Sequence, residues 1–341
     1  MTRLLLALLC AVAALALAAC GEREDPTPGA GAPEHVDIAL DYFPNADHAG
    51  LYAAIDTGAF KDVRLDVRPR TPSDPAAPLR LLEAGRVDLA ISYEPEVLLA
   101  RDRGAQIVAI GALVQEPLTS IISIGKDPIR RARDLAGKRI GTAGIPYQDA
   151  YLKAILDRAG VPEDDVSKVD VGFGLTPAML SGRVDATLGS FWNYEGVELA
   201  RRHRDPTILR VERLGVPTYN ELVIVARHED ARDRGGILRR FMQGLARGHE
   251  TLRRDPASGI DPLLKANRDL DRGLQTAAVR ATLPAFFPAG HDRPFGWMDT
   301  DDWAAYGRWM ADQDLLRRPE DPRRALTNEF LPGEGPQPQE P

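Results

Sequence analysis

Short apolar runs alternate with amphipathic ones along most of the chain, which predicts a mixed α/β body. Val36 to Leu40 alternates with the period of a strand. Pro44 has no N–H for a β-ladder and should stop it near Phe43. Gly50 to Thr57 reads as a helix closed by Gly58. Val63 to Val67 reads as a strand, Ala76 to Ala84 as a helix closed by Gly85, and Val87 to Ile91 as a strand. Pro95 to Arg103 is then a helix ended by Gly104, and Ile107 to Leu113 and Leu118 to Ile124 are strands. The last alternates poorly, as strands buried on both faces do.

A second module starts near Gly125. Asp134 to Gly141 reads as a helix end, a turn and a strand. Tyr147 to Ala159 is a helix closed by Gly160, Val169 to Phe173 a strand, Pro177 to Leu180 a short helix and Val184 to Leu188 a strand. Leu222 to Ala226 is the final β-run. Beyond it the pattern turns helical: His228 to Arg253 with a break at Gly235-Gly236, Pro262 to Ala266, Asp271 to Thr282, and Thr300 to Leu316 with Thr300 as N-cap. Strands alternating with helices predict parallel sheets covered on both faces.

The amino-terminal pattern is different. Arg3 precedes an apolar stretch, Leu4 to Leu17, too short to span a bilayer comfortably, and Leu17-Ala18-Ala19-Cys20 follows. Residues 1–19 therefore read as a signal peptide. Cys20 reads as the lipidated first residue of the mature chain, and residues 20–34, rich in Pro, Gly and Glu, as a flexible tether. Of two cysteines in 341 residues, Cys10 would leave with the signal peptide, so the mature body would have no disulfide and no Cys metal site. Residues 332–341 read as a disordered tail. The composition, 44% apolar and 27% charged, is that of a globular protein, and a net charge of −7 disfavours nucleic acid as a partner.

Candidate chemistry gathers in three clusters. Asp41 to Tyr52 follows the first strand with two aromatic rings, an amide, an imidazole and carboxylates, where open α/β sheets place their ligands. The same Asn and Asp could simply cap the next helix. Ala84-Gly85-Arg86-Val87-Asp88-Leu89-Ala90-Ile91 is echoed about a hundred residues later by Ser181-Gly182-Arg183-Val184-Asp185-Ala186-Thr187-Leu188. Each copy precedes an aromatic-acidic cluster, Tyr93-Glu94 in one case and Phe191-Trp192-Asn193-Tyr194-Glu195 in the other. That separation is too long for a solenoid repeat and suits two similar lobes facing a common cleft. Six histidines, none in zinc-type spacing, and the lack of a nucleophile elbow or phosphate loop disfavour hydrolase readings.

The run Leu40 to Tyr52, with Phe43-Pro44-Asn45 inside it, resembles the opening of the ABC-transporter solute-binding proteins for pyrimidine precursors of thiamine. The order of later segments is also similar to that family: Ala84 to Asp88, Gln115 to Ser120, Leu135 to Gly141, Phe191 to Gly196 and Thr327 to Leu331. The family often has Trp where Tyr42 stands. The resemblance implies a type II periplasmic-binding-protein-like fold, two α/β lobes joined by two crossing strands near Ile121 to Gly125 and Asn220 to Val223. One lobe would comprise residues 35–124 and 222–331, the other 125–221. It also implies a monomer without cofactor, an ABC permease as partner, and a substituted 4-aminopyrimidine as ligand. Tyr42, Phe43, Tyr93 and Trp192 would supply aromatic faces, Glu195 a carboxyl for the aminopyrimidine edge, and Asn45 a donor and an acceptor. His48, Thr119, Tyr147 and Asn193 complete the candidate ligand-binding set. Each has a structural alternative: Trp192 and Tyr93 as core aromatics, Glu195 and Glu94 as first-turn acids, His48 as a cap. Eukaryotic members of the wider family that make the pyrimidine are marked by a cysteine cluster and a first-lobe histidine. The mature chain has no cysteine beyond the lipidation site and residues 81–100 contain no histidine, so a binding protein is expected rather than an enzyme. Riboflavin, sulfonate or nitrate remain alternative ligands on the same scaffold, as does a pyrimidine-processing enzyme.

Replacing Cys20 with Ser should release the protein from membranes or block its processing. Equal membrane retention of wild type and Cys20→Ser after a salt wash would refute the anchor.

Overall fold

The computed structural model describes residues 32–288, 293–317 and 321–333. The signal peptide, Cys20 and most of the tether and tail fall outside the described residues. The described chain forms two five-stranded sheets. Strands of the first are β1 (Glu34–Ala39), β2 (Leu65–Arg70), β3 (Leu89–Ser92), β4 (Ile107–Val114) and β10 (Leu222–Arg227), in the order β2-β1-β3-β10-β4. The second holds β5 (Thr119–Ser123), β6 (Arg139–Thr142), β7 (Ser167–Asp170), β8 (Ala186–Phe191) and β9 (Thr207–Arg210), in the order β7-β6-β8-β5-β9. In each sheet four strands run in one direction. The strand inserted fourth, β10 or β5, runs antiparallel to its neighbours. This is a two-lobed, type II periplasmic-binding-protein-like fold.

The first crossing lies earlier than the sequence implies. The run from Leu118 to Ile124 was expected to end the first lobe, yet β5 pairs with β8 and β9 of the second sheet. The chain crosses at residues 115–118, where Pro117 cannot join a ladder, rather than at 121–125. A strand buried on both faces carries no mark of the sheet it joins. The return falls where expected, with Leu222 opening β10. Two smaller expectations also shift. Asp299, not Thr300, caps the helix Thr300–Asp312, its carboxylate accepting from the Asp301 and Asp302 N–H groups. The strand expected at Val169 to Phe173 is Ser167–Asp170, a half-exposed edge with no alternation to fix its ends.

The internal echo has a common structural cause. Gly85 and Gly182 turn the chain at φ 65° and 69°, values that disfavour any residue with a Cβ. The aspartate three residues on then ties the turn to the parallel neighbour. Asp88 Oδ2 accepts from Asp37 N–H at 2.9 Å, and Asp185 Oδ2 accepts from Arg139 N–H at 2.8 Å. The two copies thus lead into β3 and β8, which occupy equivalent places in their sheets.

Helix Gly235–Arg254 packs across helix Ala49–Asp56, the element that follows the aromatic turn. The approach depends on missing side chains. A Cβ on Gly248 would collide with the Gly50 carbonyl and Ala54, one on Gly50 with the His249 ring, and one on Gly244 with Phe60. Among the described residues no helix is long and apolar enough to cross a membrane.

Gly248→Ala should force these helices apart. Overpacking costs about 1–3 kcal/mol and should exceed the roughly 1 kcal/mol by which Ala favours an isolated helix. Urea denaturation checks this, and an unchanged midpoint would show that the helices can slide without cost.

Candidate functional site

A cavity lies between the lobes, with about 360 Å³ of empty space counted out to its mouth. The first lobe contributes Asp41, Tyr42, Asn45 and Asp47 from the turn after β1, and Tyr93 from the end of β3. The second contributes Ala143, Ile145 and Gln148 around the start of helix Pro146–Ala159, Leu175, and Gly189, Phe191, Tyr194 and Glu195 around the end of β8. The functional cluster thus sits at the C-terminal ends of parallel strands, where backbone polarity and loop geometry favour ligands.

The first turn is built on a capping box. Asn45 Oδ1 accepts from Asp47 N–H at 2.8 Å, and His48 Nδ1 accepts from Asn45 N–H at 3.2 Å. With Nδ1 an acceptor, Nε2 carries the proton and donates to Asp41 Oδ1 at 2.8 Å. Tyr93 Oη donates to the other Asp41 oxygen, also at 2.8 Å. Asp41 is therefore fixed from two sides. His48, fully buried, acts behind the wall as a cap and a positioning group. One lone pair of Asn45 Oδ1 is taken by the cap, and Asn45 retains its amide N–H donors and the second lone pair.

Glu195 opens helix Glu195–Arg201 and is buried. Its Oε2 accepts from Phe191 N–H at 2.7 Å. Burial pushes its carboxyl up to about 8, against the pull of the Phe191 and Glu195 backbone N–H groups and with a further push from Glu198 and Asp47. Asp47 rises to about 6, again chiefly by burial, opposed by His48. Tyr42 Oη and Asp47 Oδ2 are buried without a hydrogen-bond partner among the described residues. The described wall holds three carboxyl groups and neither lysine nor arginine. Chemically it accepts N–H donors and offers aromatic faces.

Of the ten residues singled out from the sequence, Tyr42, Asn45, Tyr93 and Glu195 line this cavity. The other six lie elsewhere. Phe43 packs behind Tyr42, with ring centroids 4.7 Å apart, and reaches Tyr194 of the other lobe at 6.2 Å. Trp192 is half-buried against the core, donating to Pro117 O at 3.1 Å beneath the Arg210 guanidinium, 4.1 Å from its ring. Thr119 and Tyr147 share a 3.1 Å hydrogen bond at the crossing between lobes. Asn193 is an inter-lobe clasp. Its Nδ2 donates to Asp47 Oδ1 and to Thr282 Oγ1, both at 2.6 Å. Tyr147 N–H to Glu96 at 2.8 Å and Gln275 Nε2 to Tyr194 Oη at 3.0 Å also join the lobes.

Asp41 and Asp47 stood in the turn quoted from the sequence but were not singled out as ligand contacts. Sequence reasoning also missed Gln148 and Gly189. Gly189 is the extra residue of a bulge: Ser120 pairs with Ser190, but Ile121 pairs with Leu188. At φ 101° its bare Cα leaves room for the Gln148 amide. The strand predicted at Val184 to Leu188 in fact runs on to Phe191, so a glycine directly after a predicted strand was the available signal.

The fold and cleft are those of the solute-binding-protein class. The chain belongs to the NMT1/THI5-like family, whose model matches residues 45–258. A formylaminopyrimidine-binding protein of Halalkalibacterium halodurans is 31% identical over 290 residues, covering 84% of this chain and 87% of that one. A 4-amino-5-hydroxymethyl-2-methylpyrimidine phosphate synthase of Legionella pneumophila is 23% identical, covering 87% and 92%. In structure, the alkanesulfonate-binding protein of Xanthomonas axonopodis pv. citri matches with TM-score 0.67 at 19% identity, covering 87% of this chain and 99% of that one. At that identity the match speaks for the fold alone.

A raised carboxyl pKa has a readable consequence for stability. The folded chain binds the Glu195 proton more tightly than the unfolded chain, whose value is near 4.5. That stabilisation is complete below about pH 4.5 and is lost as pH rises through about 8. Glu195→Gln cannot ionise. Wild type should therefore lose stability relative to the variant by up to about 1.4 kcal/mol per pH unit across this window. Parallel urea-stability curves for the two proteins would show that Glu195 titrates as an ordinary carboxylate.

Proposed function

We infer that this chain is an extracytoplasmic, lipid-anchored solute-binding protein of an ABC importer, and that it holds a 4-aminopyrimidine precursor of thiamine between its lobes. One observation carries the reading: the wall combines aromatic rings with carboxyl groups and lacks a described cationic side chain. A flat, neutral heteroaromatic ring with an exocyclic amine fits both features. The relative that binds formylaminopyrimidine supports the same class of ligand. A sulfonate or nitrate would need cations where this wall has carboxyls, so sharing a fold with a sulfonate-binding protein does not extend to its ligand.

In this reading Tyr42, Tyr93 and Phe191 flank the ring. The Glu195 carboxyl faces the edge formed by the amine and its neighbouring ring nitrogen. That pairing needs one proton, on the carboxyl or on the ring, and a carboxyl raised to about 8 by burial is able to supply it at neutral pH. Asn45 donates to a remaining acceptor, a ring nitrogen or a formyl oxygen. The Asn193–Asp47–Thr282 clasp holds the lobes together over the ligand, and the closed form is presented to a transmembrane permease. An enzyme acting on the same pyrimidine is the second reading, kept because a synthase is among the relatives. Mass spectrometry of bound ligand before and after incubation separates binding from turnover.

Calorimetry of Glu195→Gln tests the site. Losing a hydrogen bond to a charged group costs about 1.5–3 kcal/mol, roughly a ten- to hundredfold loss of affinity. Hydroxymethylpyrimidine should weaken by that factor, and an analogue without the amine far less. If both ligands bind the variant as they bind wild type, Glu195 serves its helix and the pairing is wrong.

A further inference from the structure

A second, larger cavity lies against the two segments that cross between the lobes. It has about 980 Å³ of empty space out to its mouth. Gln115 and Glu116 come from the first crossing and Thr218 to Asn220 from the second. The remaining wall includes Glu94 at the start of helix Glu94–Asp102, and residues just before and within helix Thr300–Asp312.

Its chemistry differs from that of the first cavity. Four carboxylates, Glu94, Glu116, Asp299 and Asp302, face one guanidinium, Arg293, which lies 4.4 Å over the Trp297 ring. Trp303 adds a second indole, held by donation from its Nε1 to Asn220 Oδ1 at 2.7 Å. Glu94 is the telling group. It is 1% exposed; its Oε2 accepts from Asn220 N–H at 2.7 Å, while its Oε1 has no hydrogen-bond partner among the described residues. Burial and the like charge of Asp302 push its carboxyl well above the usual range. A buried acceptor left unmet is costly, and a donor that also carries positive charge would relieve it most. Indole faces beside carboxylates are the surroundings that organic ammonium groups prefer. Among the described residues no group of three or more His, Cys, Asp or Glu is arranged to hold a metal ion, so the recess favours an organic cation over a bare one.

We propose that this recess is a second ligand site that takes a small organic cation with ammonium N–H donors, the ammonium meeting Glu94 Oε1 and the carbon chain lying on Trp297 and Trp303. The proposal stands independently of the pyrimidine reading. Its location gives it a physical link to that site, because Glu94 adjoins Tyr93, which holds Asp41 in the first cavity.

The test titrates the full chain with 1,4-diaminobutane, followed by calorimetry and tryptophan fluorescence. Wild type should bind saturably with a fluorescence change. Tetramethylammonium, which has no N–H donor, should bind about tenfold more weakly or worse. Glu94→Gln should lose about tenfold in affinity for the diamine. Glu116→Gln, an exposed change that leaves the fold intact, should lose about two- to threefold. Glu195→Gln, in the other cavity, should bind the diamine as wild type does. Four results would overturn the proposal: no saturable binding by wild type, equal affinity for the two cations, full affinity in Glu94→Gln, or loss of binding in Glu195→Gln. If Glu94→Gln fails to fold, the comparison of the two cations and the Glu116→Gln variant decide the question.

Discussion

Two segments cross between the sheets, and one buried carboxylate ties them together. Glu221 has no exposed surface. Its Oε2 accepts from Leu118 N–H at 2.6 Å, Thr119 N–H at 2.7 Å and Tyr219 Oη at 2.9 Å. Its Oε1 accepts from Thr119 Oγ1 at 2.8 Å. Leu118 and Thr119 end the outward crossing, and Tyr219 and Glu221 end the return. A buried carboxylate without donors would cost several kcal/mol, so four donors around one side chain fix where the two segments meet. Burial lifts the group to about 7 and these donors hold it down. The hydrogen bonding continues outward. Thr119 meets Tyr147 Oη, and the Tyr147 N–H reaches Glu96 of the first lobe. The placement of the second lobe, and with it Gln148, Gly189 and Glu195, is set from this point.

The fold was legible because most elements carry their own punctuation. Gly58, Gly104 and Gly160 each follow a helix and take positive φ, as their positions in the pattern predicted. What the pattern could not carry was assignment of strands to sheets. The run at Leu118 to Ile124 mixes Leu and Ile with Thr and Ser and its strand is buried at every position, so only its pairing with β8 and β9 puts it in the second lobe. β9, Thr207–Arg210, is a half-buried edge strand, and four residues without alternation leave no periodic trace. The internal echo was legible as a repeat, but the reason for it was not. The Gly-Arg-Val-Asp turn recurs because a left-handed glycine and a strand-pinning aspartate solve the same local problem twice.

The candidate site divides along the same line. Tyr42, Asn45, Tyr93 and Glu195 were found because they sit at strand ends beside other polar and aromatic groups. Ala143, Ile145 and Leu175 line the cavity through backbone placement, with side chains that carry no chemistry to notice. The excess candidates also have a physical explanation. Asn193 is polar and sits beside the wall residue Tyr194, but neighbours in a turn point different ways, and Thr119 is a polar residue of a buried strand. Asn193 reaches across to Asp47 and Thr282, and Thr119 reaches inward to Glu221. Both therefore bear on how the lobes meet rather than on the cavity wall.

That division bears on how such a cleft works. Closing the lobes buries Asp47 and Asn193 against each other, and Asn193 Nδ2 satisfies only Asp47 Oδ1. On the cavity wall, Asp47 Oδ2 and Tyr42 Oη are left without partners among the described residues. With the lobes apart, water meets such groups at little cost, whereas closure removes that water. A ligand that brings donors and acceptors into the cleft returns what closure takes away. Its differential affinity for the closed form then shifts the population toward closure. Complete internal pairing of these groups would close the lobes whether or not the cleft was filled, and the closed shape would carry no information about cargo. Incomplete pairing makes closure conditional on occupancy, which is the condition that the proposed role as a carrier for a permease requires.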